Sequence, residues 1–301
     1  MDDAQLTRHL RILEPGDGIL AFYDGRIEGY RFAAEDNWVD DGALSLGIAS
    51  YALVEGDEAL VYDTHVSVPH ARAIRSALEA RGVRKFTVIL SHWHLDHIAG
   101  TEAFTDCQVI ANSRTAAHMA RCKAAIEAGT HHGPPAIAPL IMPTQLFERE
   151  LSLRLGGREV RLIEADIHSD DATVIWLPET RILLAGDTLE DTVTYVAEPQ
   201  NFDRHLVDLE RLSALDPASI LPNHGDPDII AAGGYAKSLI GATEDYIRKL
   251  QRSVNEPGLC TLALREFAAP MIENGSLRYF EPYEAVHRGN IAAVLATHAG
   301  K

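Results

Sequence analysis

Cysteine is scarce in this sequence of 301 residues, which contains only Cys107, Cys122 and Cys260. Their number is odd and no two form a Cys-x-x-Cys pair, which argues against a disulfide framework. We therefore expect three buried structural thiols, the environment in which free cysteine is most often found.

Long apolar runs are also missing, since no stretch approaches the eighteen or so uninterrupted apolar residues of a membrane span. The start, Met1-Asp2-Asp3, is acidic, whereas a secretory leader would be basic and then apolar. These absences predict a soluble, cytoplasmic chain without a membrane partner.

Basic charge is outweighed by acidic charge. The 27 Lys and Arg residues against 44 Asp and Glu residues give a net charge of -17. Such a chain repels phosphate backbones, so we expect no nucleic-acid partner and a small-molecule ligand instead. A homo-oligomer is left open.

The composition is that of a globular protein, with 46% hydrophobic and 24% charged residues. We find no repeat, no low-complexity tract and no linker between two compositions. The sequence therefore predicts one domain over residues 1–301, with residues 255–301 as a helical C-terminal extension.

Strand and helix patterns alternate along the chain. Asp24-Gly25 lies between two apolar-rich runs of residues 19–30 and predicts a tight hairpin, and a second hairpin is predicted around Glu55-Gly56-Asp57. Further strands are predicted at 86–90, 108–111, 151–155, 158–164, 173–177 and 181–185, and helices at 69–81, 98–104, 113–128, 204–213 and 229–252. This order indicates an α/β or α+β sandwich of two sheets covered by helices.

The segment Ser91-His92-Trp93-His94-Leu95-Asp96-His97 follows a predicted strand and places four potential metal ligands within six residues. Residues two apart in an extended segment project to the same side, so His92 and His94 can converge on one ion. Asp96 and His97 lie where the chain enters a helix and can face a second ion. The alternative, a surface cluster of histidines, is less consistent with this spacing.

Two ions need more ligands than four, because zinc takes about four to five. Three further residues, His168, Asp187 and His224, each stand just after a strand-like run. Each of them alone is more often a structural residue than a ligand.

Together, the order and spacing of these residues resemble the metallo-β-lactamase superfamily. Its pattern has a carboxylate that closes an early strand, matched by Asp63, then His-x-His-x-Asp-His, then a His, an Asp after Gly, and a His before Gly. The resemblance implies an α+β fold, a four-layer αββα sandwich of two mixed β-sheets flanked by helices. It also implies one ion held by His92, His94 and His168, a second held by Asp96, His97 and His224, and Asp187 bridging both.

Around the third histidine the chain departs from the common Gly-His-Thr-x-Gly of the family, because it has Ile167-His168-Ser169-Asp170-Asp171. Asp170 and Asp171 are expected to orient ligand histidines from outside, a solvated turn being the alternative. Asp63 is expected to accept a hydrogen bond from a ligand histidine.

Imidazole and carboxylate ligands suit zinc first, and also manganese or iron. Two zinc ions sharing a water would lower its pKa to about 7, so that a bridging hydroxide could attack a carbonyl at neutral pH. Asp96 and Asp187 are then the catalytic carboxylates, since they fix the ions.

Asp187 stands where the family's β-lactam-cleaving members usually carry Cys or Ser, so the resemblance implies hydrolysis of an ester or lactone. A small-molecule phosphodiesterase or a thioesterase is the alternative. Two rivals of other classes are a sulfur dioxygenase with a single iron and a non-catalytic binding member.

Residues 129–148 form an irregular, proline-rich run that is typical of a lid. The expected walls of the substrate pocket are residues of this run and aromatic residues of the C-terminal region, with core packing of the aromatics as the alternative. They are His131, His132, Phe147, Phe267, Tyr279 and Phe280.

Overall fold

The computed structural model describes residues 3–299, and its strands form two β-sheets. Seven strands, adjacent in chain order, make the first sheet: β1 (Arg11–Gly16), β2 (Ile19–Asp24), β3 (Ile48–Glu55), β4 (Glu58–Tyr62), β5 (Lys85–Ile89), β6 (Gln108–Asn112) and β7 (Gln145–Phe147). Its strands pair antiparallel from β1 to β4 and parallel from β4 to β7.

The second sheet has the strand order β12-β11-β10-β9-β8. Its strands are β8 (Glu150–Leu155), β9 (Arg158–Glu164), β10 (Thr173–Leu177), β11 (Ile182–Gly186) and β12 (Ser219–Pro222). Only the pair β11 and β12 is parallel. Both sheets are therefore mixed.

Helices cover the outer faces of the two sheets. They are α1 (Asp3–Leu6), α2 (Val68–Ala80), α3 (Leu95–Ile98), α4 (Ser113–Glu127), α5 (Phe202–Ala214), α6 (Pro227–Ala231), α7 (Ser238–Ser253), α8 (Leu264–Phe267), α9 (Ala269–Glu273) and α10 (Tyr283–Ala299). None of the helices within residues 3–299 combines the length and apolar character that crossing a membrane requires.

The strands of the first sheet divide their side chains between two cores, because successive residues of a strand face opposite sides. In β2, Ala21 and Tyr23 point towards the second sheet, whereas Leu20 and Phe22 pack against the layer of α2 and α4. The second sheet lies between the first sheet and the layer of α5 and α7. The predicted αββα sandwich is confirmed.

The hairpin predicted at Asp24-Gly25 is wrong. β2 ends at Asp24, and its hairpin partner is β1, joined to it through Asp17-Gly18. Gly25 has a φ of +99°, and a Cβ there would lie 2.3 Å from the carbonyl oxygen of Leu44. The glycine therefore permits a close crossing of two chain segments and not a turn. The second predicted hairpin is confirmed, since β3 and β4 are joined at Gly56-Asp57.

The single helix predicted over residues 229–252 is also wrong, because it is divided into α6 and α7. Gly233 and Gly234 both have positive φ, 110° and 99°, which an α-helix cannot contain. The expectation for the cysteines is met only in part: all three are free, but they are half-buried.

Three buried tyrosines join the two sheets. Tyr51 donates a hydrogen bond of 2.6 Å to the carbonyl oxygen of Pro222, and Tyr23 donates one of 2.9 Å to that of Gly225. Tyr62 donates to the carbonyl group of the residue that begins β10. The first two bonds hold the end of β12 and the loop after it against the first sheet, and the third holds the start of β10.

Replacing Tyr51 by Phe should lower the free energy of unfolding by about 1–3 kcal/mol, because the buried carbonyl of Pro222 loses its donor. Urea unfolding measures the change. Tyr195→Phe is the matched control, since that tyrosine is 41% exposed. Equal stability of the two variants would contradict the structural role of Tyr51.

Candidate metal centre

The predicted ligands lie in segments that follow strands, with Asp96 and His97 in α3. The segment 91–97 follows β5 and leads into α3, whereas Asp187 and His224 come just after β11 and β12. His168 lies between β9 and β10, and Asp63 follows β4. The structure brings these loops together at one edge of the two packed sheets.

Three histidines form the first ligand group. Nε2 of His168 lies 3.1 Å from Nε2 of His92 and 2.9 Å from Nδ1 of His94. Nδ1 of His168 lies 3.1 Å from the carbonyl oxygen of Tyr195, so it carries the proton and Nε2 keeps a lone pair. The group presents nitrogen lone pairs to a common position.

Asp96, His97 and His224 form the second ligand group. Oδ2 of Asp96 lies 3.2 Å from Nε2 of His224 and 3.5 Å from Nε2 of His97. Nδ1 of His224 donates to the carbonyl oxygen of Gly47 at 2.7 Å, and Nδ1 of His97 donates to Oδ2 of Asp63 at 2.8 Å. The Nε2 atoms of both rings are therefore the atoms that would bind a cation.

Asp187 lies between the two groups. Its Oδ2 atom is 3.0 Å from Nε2 of His97 and 3.4 Å from Nε2 of His224 in the second group. The same atom is 3.6 Å from Nε2 of His168 and 3.7 Å from Nε2 of His92 in the first. Within the described residues, Oδ1 of Asp187 is buried and has no hydrogen-bond partner.

The electrostatics of the cluster favour bound positive charge. Burial lowers the pKa of His92 and His94 well below the usual value, so both rings are neutral. Burial would raise the pKa of Asp187, but His97 and His224 lower it well below its usual range. Although burial opposes the charged form of His97 and His224, Asp187 raises the pKa of both.

These donors fit transition-metal ions. Lone pairs of imidazoles converge with carboxylate oxygens. The buried Oδ1 atom of Asp187 has no hydrogen-bond donor among the described residues, and a cation would satisfy it. Ligand atoms within each group lie within 4.8 Å of one another. The clusters of His and Asp therefore indicate metal binding.

A cavity of about 630 Å³ opens onto both groups. Its lining combines several of the ligands with residues of other segments: Asp36, Asn37, Trp38, Asp41, Gly42, Leu46, Leu95, His131, His132, Gly133, Glu190, Tyr195 and Val286. Of the expected walls, the two histidines of the irregular run line the cavity, whereas Phe147, Phe267, Tyr279 and Phe280 do not. Phe147 and Phe267 are buried in the core, where large rings remove the most apolar area from water.

The model of the Metallo-beta-lactamase superfamily matches residues 45–224, more than half of the chain. The matched span contains Asp63 and both ligand groups. This chain belongs to the metallo-beta-lactamase superfamily. Together with the clusters of His and Asp, membership supports a metal-dependent hydrolase.

Two relatives illustrate the similarity within the superfamily. Over 172 residues, the chain is 29% identical to the hydroxyacylglutathione hydrolase of Cereibacter sphaeroides. The aligned stretch covers 57% of this chain and 60% of that protein. Over 193 residues, it is 26% identical to the Beta-lactamase-like protein 2 homolog of Drosophila melanogaster. This aligned stretch covers 60% of this chain and 59% of that protein. The chain thus spans about 60% of the length of these curated relatives.

A solved structure shows the same fold. The metallo-beta-lactamase from Pontibacter korlensis superposes with a TM-score of 0.55, covering 77% of this chain and 99% of that chain at 16% identity. At this identity the likeness concerns the fold alone.

Sequence reasoning missed Glu190, a buried residue of this superfamily member that lies beside the first ligand group. Its Oε1 atom accepts a hydrogen bond of 3.0 Å from the backbone of Tyr195 and lies 3.5 Å from Nδ1 of His168. Its Oε2 atom accepts a 3.1 Å bond from the hydroxyl of Tyr283, the first residue of α10. No short-range pattern signals a contact between residues this far apart in the sequence.

A second set of hydrogen bonds joins α10 to the loop that follows Asp187 and contains Glu190 and Tyr195. Oδ1 of Asn290 accepts from the backbone N–H of Val196 at 2.9 Å, and its Nδ2 donates to the carbonyl oxygen of Thr194 at 2.9 Å. The loop that follows Asp187 is therefore held from the C-terminal region.

The role expected for Asp170 is wrong. Its carboxylate lies 2.6 Å from Nε2 of His118, a residue of α4 outside both ligand groups. Asp171 is buried, and its Oδ1 accepts from the hydroxyl of Ser169. His168 has a φ of +71°, and the chain beyond it turns towards α4. Asp63, in contrast, lies where the resemblance puts it, beside His97.

Replacing Asp63 by Asn should lower metal affinity or kcat/KM by about 10–100-fold, because His97 loses the negative charge that holds its Nδ1–H. Metal titration and steady-state kinetics measure the two effects. Asp170→Asn removes the same charge from the partner of His118 and should leave both values nearly unchanged. Equal losses in the two variants would contradict the assignment.

Proposed function

We propose that this chain hydrolyses an ester or lactone bond of a small molecule, using two metal ions held by the two ligand groups. The observation that carries the proposal is the position of Asp187. Its Oδ2 atom lies within 3.7 Å of imidazole nitrogens from both groups, and its Oδ1 atom is buried without a partner. A single carboxylate so placed can bind two cations.

Zinc is the metal we propose first, with manganese and iron also suited to these donors. When bound, the ions supply the Lewis acidity that activates water at neutral pH and polarises a substrate carbonyl. The complete second group of Asp96, His97 and His224 argues against a sulfur dioxygenase with a single iron.

The protein's own residues contribute orientation. The carbonyl oxygens of Tyr195 and Gly47 fix the tautomers of His168 and His224. The carboxylate of Asp63 fixes that of His97. Four of the five ligand rings are buried, all except that of His94, so solvent reaches the centre through the cavity. The volume of the cavity suits a small molecule.

The name hydroxyacylglutathione hydrolase describes a thioesterase among the relatives, so a thioester is the second substrate class. The net charge of -17 disfavours phosphodiesters, which are anionic.

A panel of matched chromogenic substrates at fixed ionic strength tests the proposal. The expected result is a higher kcat/KM for esters or lactones than for phosphodiesters and β-lactams. Metal analysis of the same preparation should give about two ions per chain. A phosphodiester cleaved about tenfold faster than every ester and lactone would refute the proposed substrate class. Full activity with one ion per chain would refute the two-ion centre.

A further inference from the structure

The mouth of the cavity is acidic, although the ligands beneath it would bind cations. Apart from the ligand groups, the lining contains three carboxylates, Asp36, Asp41 and Glu190. Among the described residues that line the cavity, none is Lys or Arg. A substrate that enters therefore meets negative charge before it reaches the reaction centre.

Asp41 is the carboxylate whose charge is least compensated. Glu190 is buried and accepts bonds from Tyr195 and Tyr283, and Asp36 lies 3.7 Å from the guanidinium of Arg31. The carboxylate of Asp41 is exposed and has no hydrogen bond or ion pair within residues 3–299. Its negative charge is thus available to a ligand.

His131, at the mouth, does not supply a balancing charge at neutral pH. Burial lowers the pKa of His131, and the neighbouring His132 and Arg121 lower it further. His131 also packs against Trp93, with ring centroids 5.1 Å apart.

Aromatic side chains face the same space. Trp38 lines the cavity and is held to the opposite loop, because its Nε1–H donates to the carbonyl of Pro135 at 3.0 Å and its backbone N–H to that of Pro134 at 3.3 Å. Tyr195, which is 41% exposed, lies beside the first ligand group, with its ring centroid 5.7 Å from that of His168. Aromatic faces attract cations, most strongly when charge and ring act together.

We infer that this cavity takes esters or lactones whose non-reacting part carries a positive charge, such as a quaternary or protonated amine, and rejects anionic ones. The inference rests on the proposed function, because it assigns the substrate class of that same centre. The floor of the cavity, where Oδ1 of Asp187 lacks a partner, binds the reacting end, and the acidic aromatic mouth binds the charged end. Glutathione thioesters, which carry two carboxylates, are therefore poor substrates.

Three esters of one acid test this inference. Their alcohol parts have the same two-carbon spacer and end in a trimethylammonium, a tert-butyl or a sulfonate group, so they differ chiefly in charge. A sulfonate is a weak metal ligand, so direct binding of the anionic ester's charged end to the ions is limited. We expect kcat/KM to fall from the cationic to the neutral to the anionic ester, with about tenfold or more between the extremes at low salt. The difference should shrink as salt is added.

Asp41→Lys should reduce the ratio of cationic to anionic rates about tenfold, and Glu210→Lys is its matched control. Glu210 is exposed on α5 and does not line the cavity, so the same change of net charge there should leave the ratio unchanged. A preference for the sulfonate ester, or a ratio that responds equally to the two variants, would overturn the inference.

The two proposals fail separately. Hydrolysis of the neutral ester without the expected order of charge overturns only the inference. If neither these esters nor the esters and lactones of the chromogenic panel are cleaved, the proposed function fails. Binding of the same three esters, followed by tryptophan fluorescence, still decides the charge preference of the cavity. Tighter binding of the trimethylammonium ester would support the inference, and equal or weaker binding would overturn it.

Discussion

Replacing Asp187 by Ala is expected to lower kcat/KM by more than about 100-fold, beyond the 10–100-fold typical of outer groups that only orient ligands. The reason is its position, since one oxygen approaches ring nitrogens of both ligand groups. Metal content should fall together with activity. Elemental analysis and kinetics on the same sample measure both.

Asp170→Ala is the control for this change. It removes a carboxylate close in sequence to His168, but one whose partner is His118. This variant should keep its metal and most of its activity. If Asp170→Ala proved the more damaging change in a folded, metal-loaded protein, the ligand assignment would be wrong.

Removal of metal by a chelator is expected to abolish hydrolysis and to lower Tm. Without a cation, the carboxylate of Asp96 and the buried carboxylate of Asp187 have only imidazoles as partners among residues 3–299. A ligand present at about 100 times its Kd stabilises the folded state by about 2.7 kcal/mol, so its loss should be visible in thermal unfolding. Readdition of zinc should restore both activity and Tm.

The control is chelator added to the Asp187→Ala variant. Because this variant should contain little metal, its Tm should change less on chelation than the Tm of the wild-type protein. Undiminished activity of wild-type protein that has lost its metal would contradict metal-dependent hydrolysis.

The elements that could be predicted from the sequence are those specified by local pattern. The hairpin of β3 and β4, the helix α4 and the strands β8 to β11 follow from alternation, helical spacing and turn residues. The hairpin predicted at Asp24-Gly25 is wrong because a glycine that permits a close approach to Leu44 cannot be distinguished in sequence from a glycine that makes a turn. The distinction depends on a segment about twenty residues away.

The same limit applies to the site. His92, His94, Asp96 and His97 could be recognised because they are adjacent in sequence. The carboxylates that orient ligand histidines could not be recognised in this way, since a hydrogen bond to a ring nitrogen depends on the direction in which the carboxylate points. Asp170 is two residues from a ligand yet points towards α4, whereas Asp63 is far from His97 in sequence and contacts it.

The bonds from α10 to the loop after Asp187 bear on how much of this chain can be transplanted. Residues 45–224 contain both ligand groups, and a graft of that span into another scaffold would transfer all of them. It would not transfer Tyr283 or Asn290, so the carboxylate of Glu190 and the amide of Val196 would lose buried partners. Each unmet group costs about 1–3 kcal/mol. The portable unit of this centre therefore extends at least to residue 290.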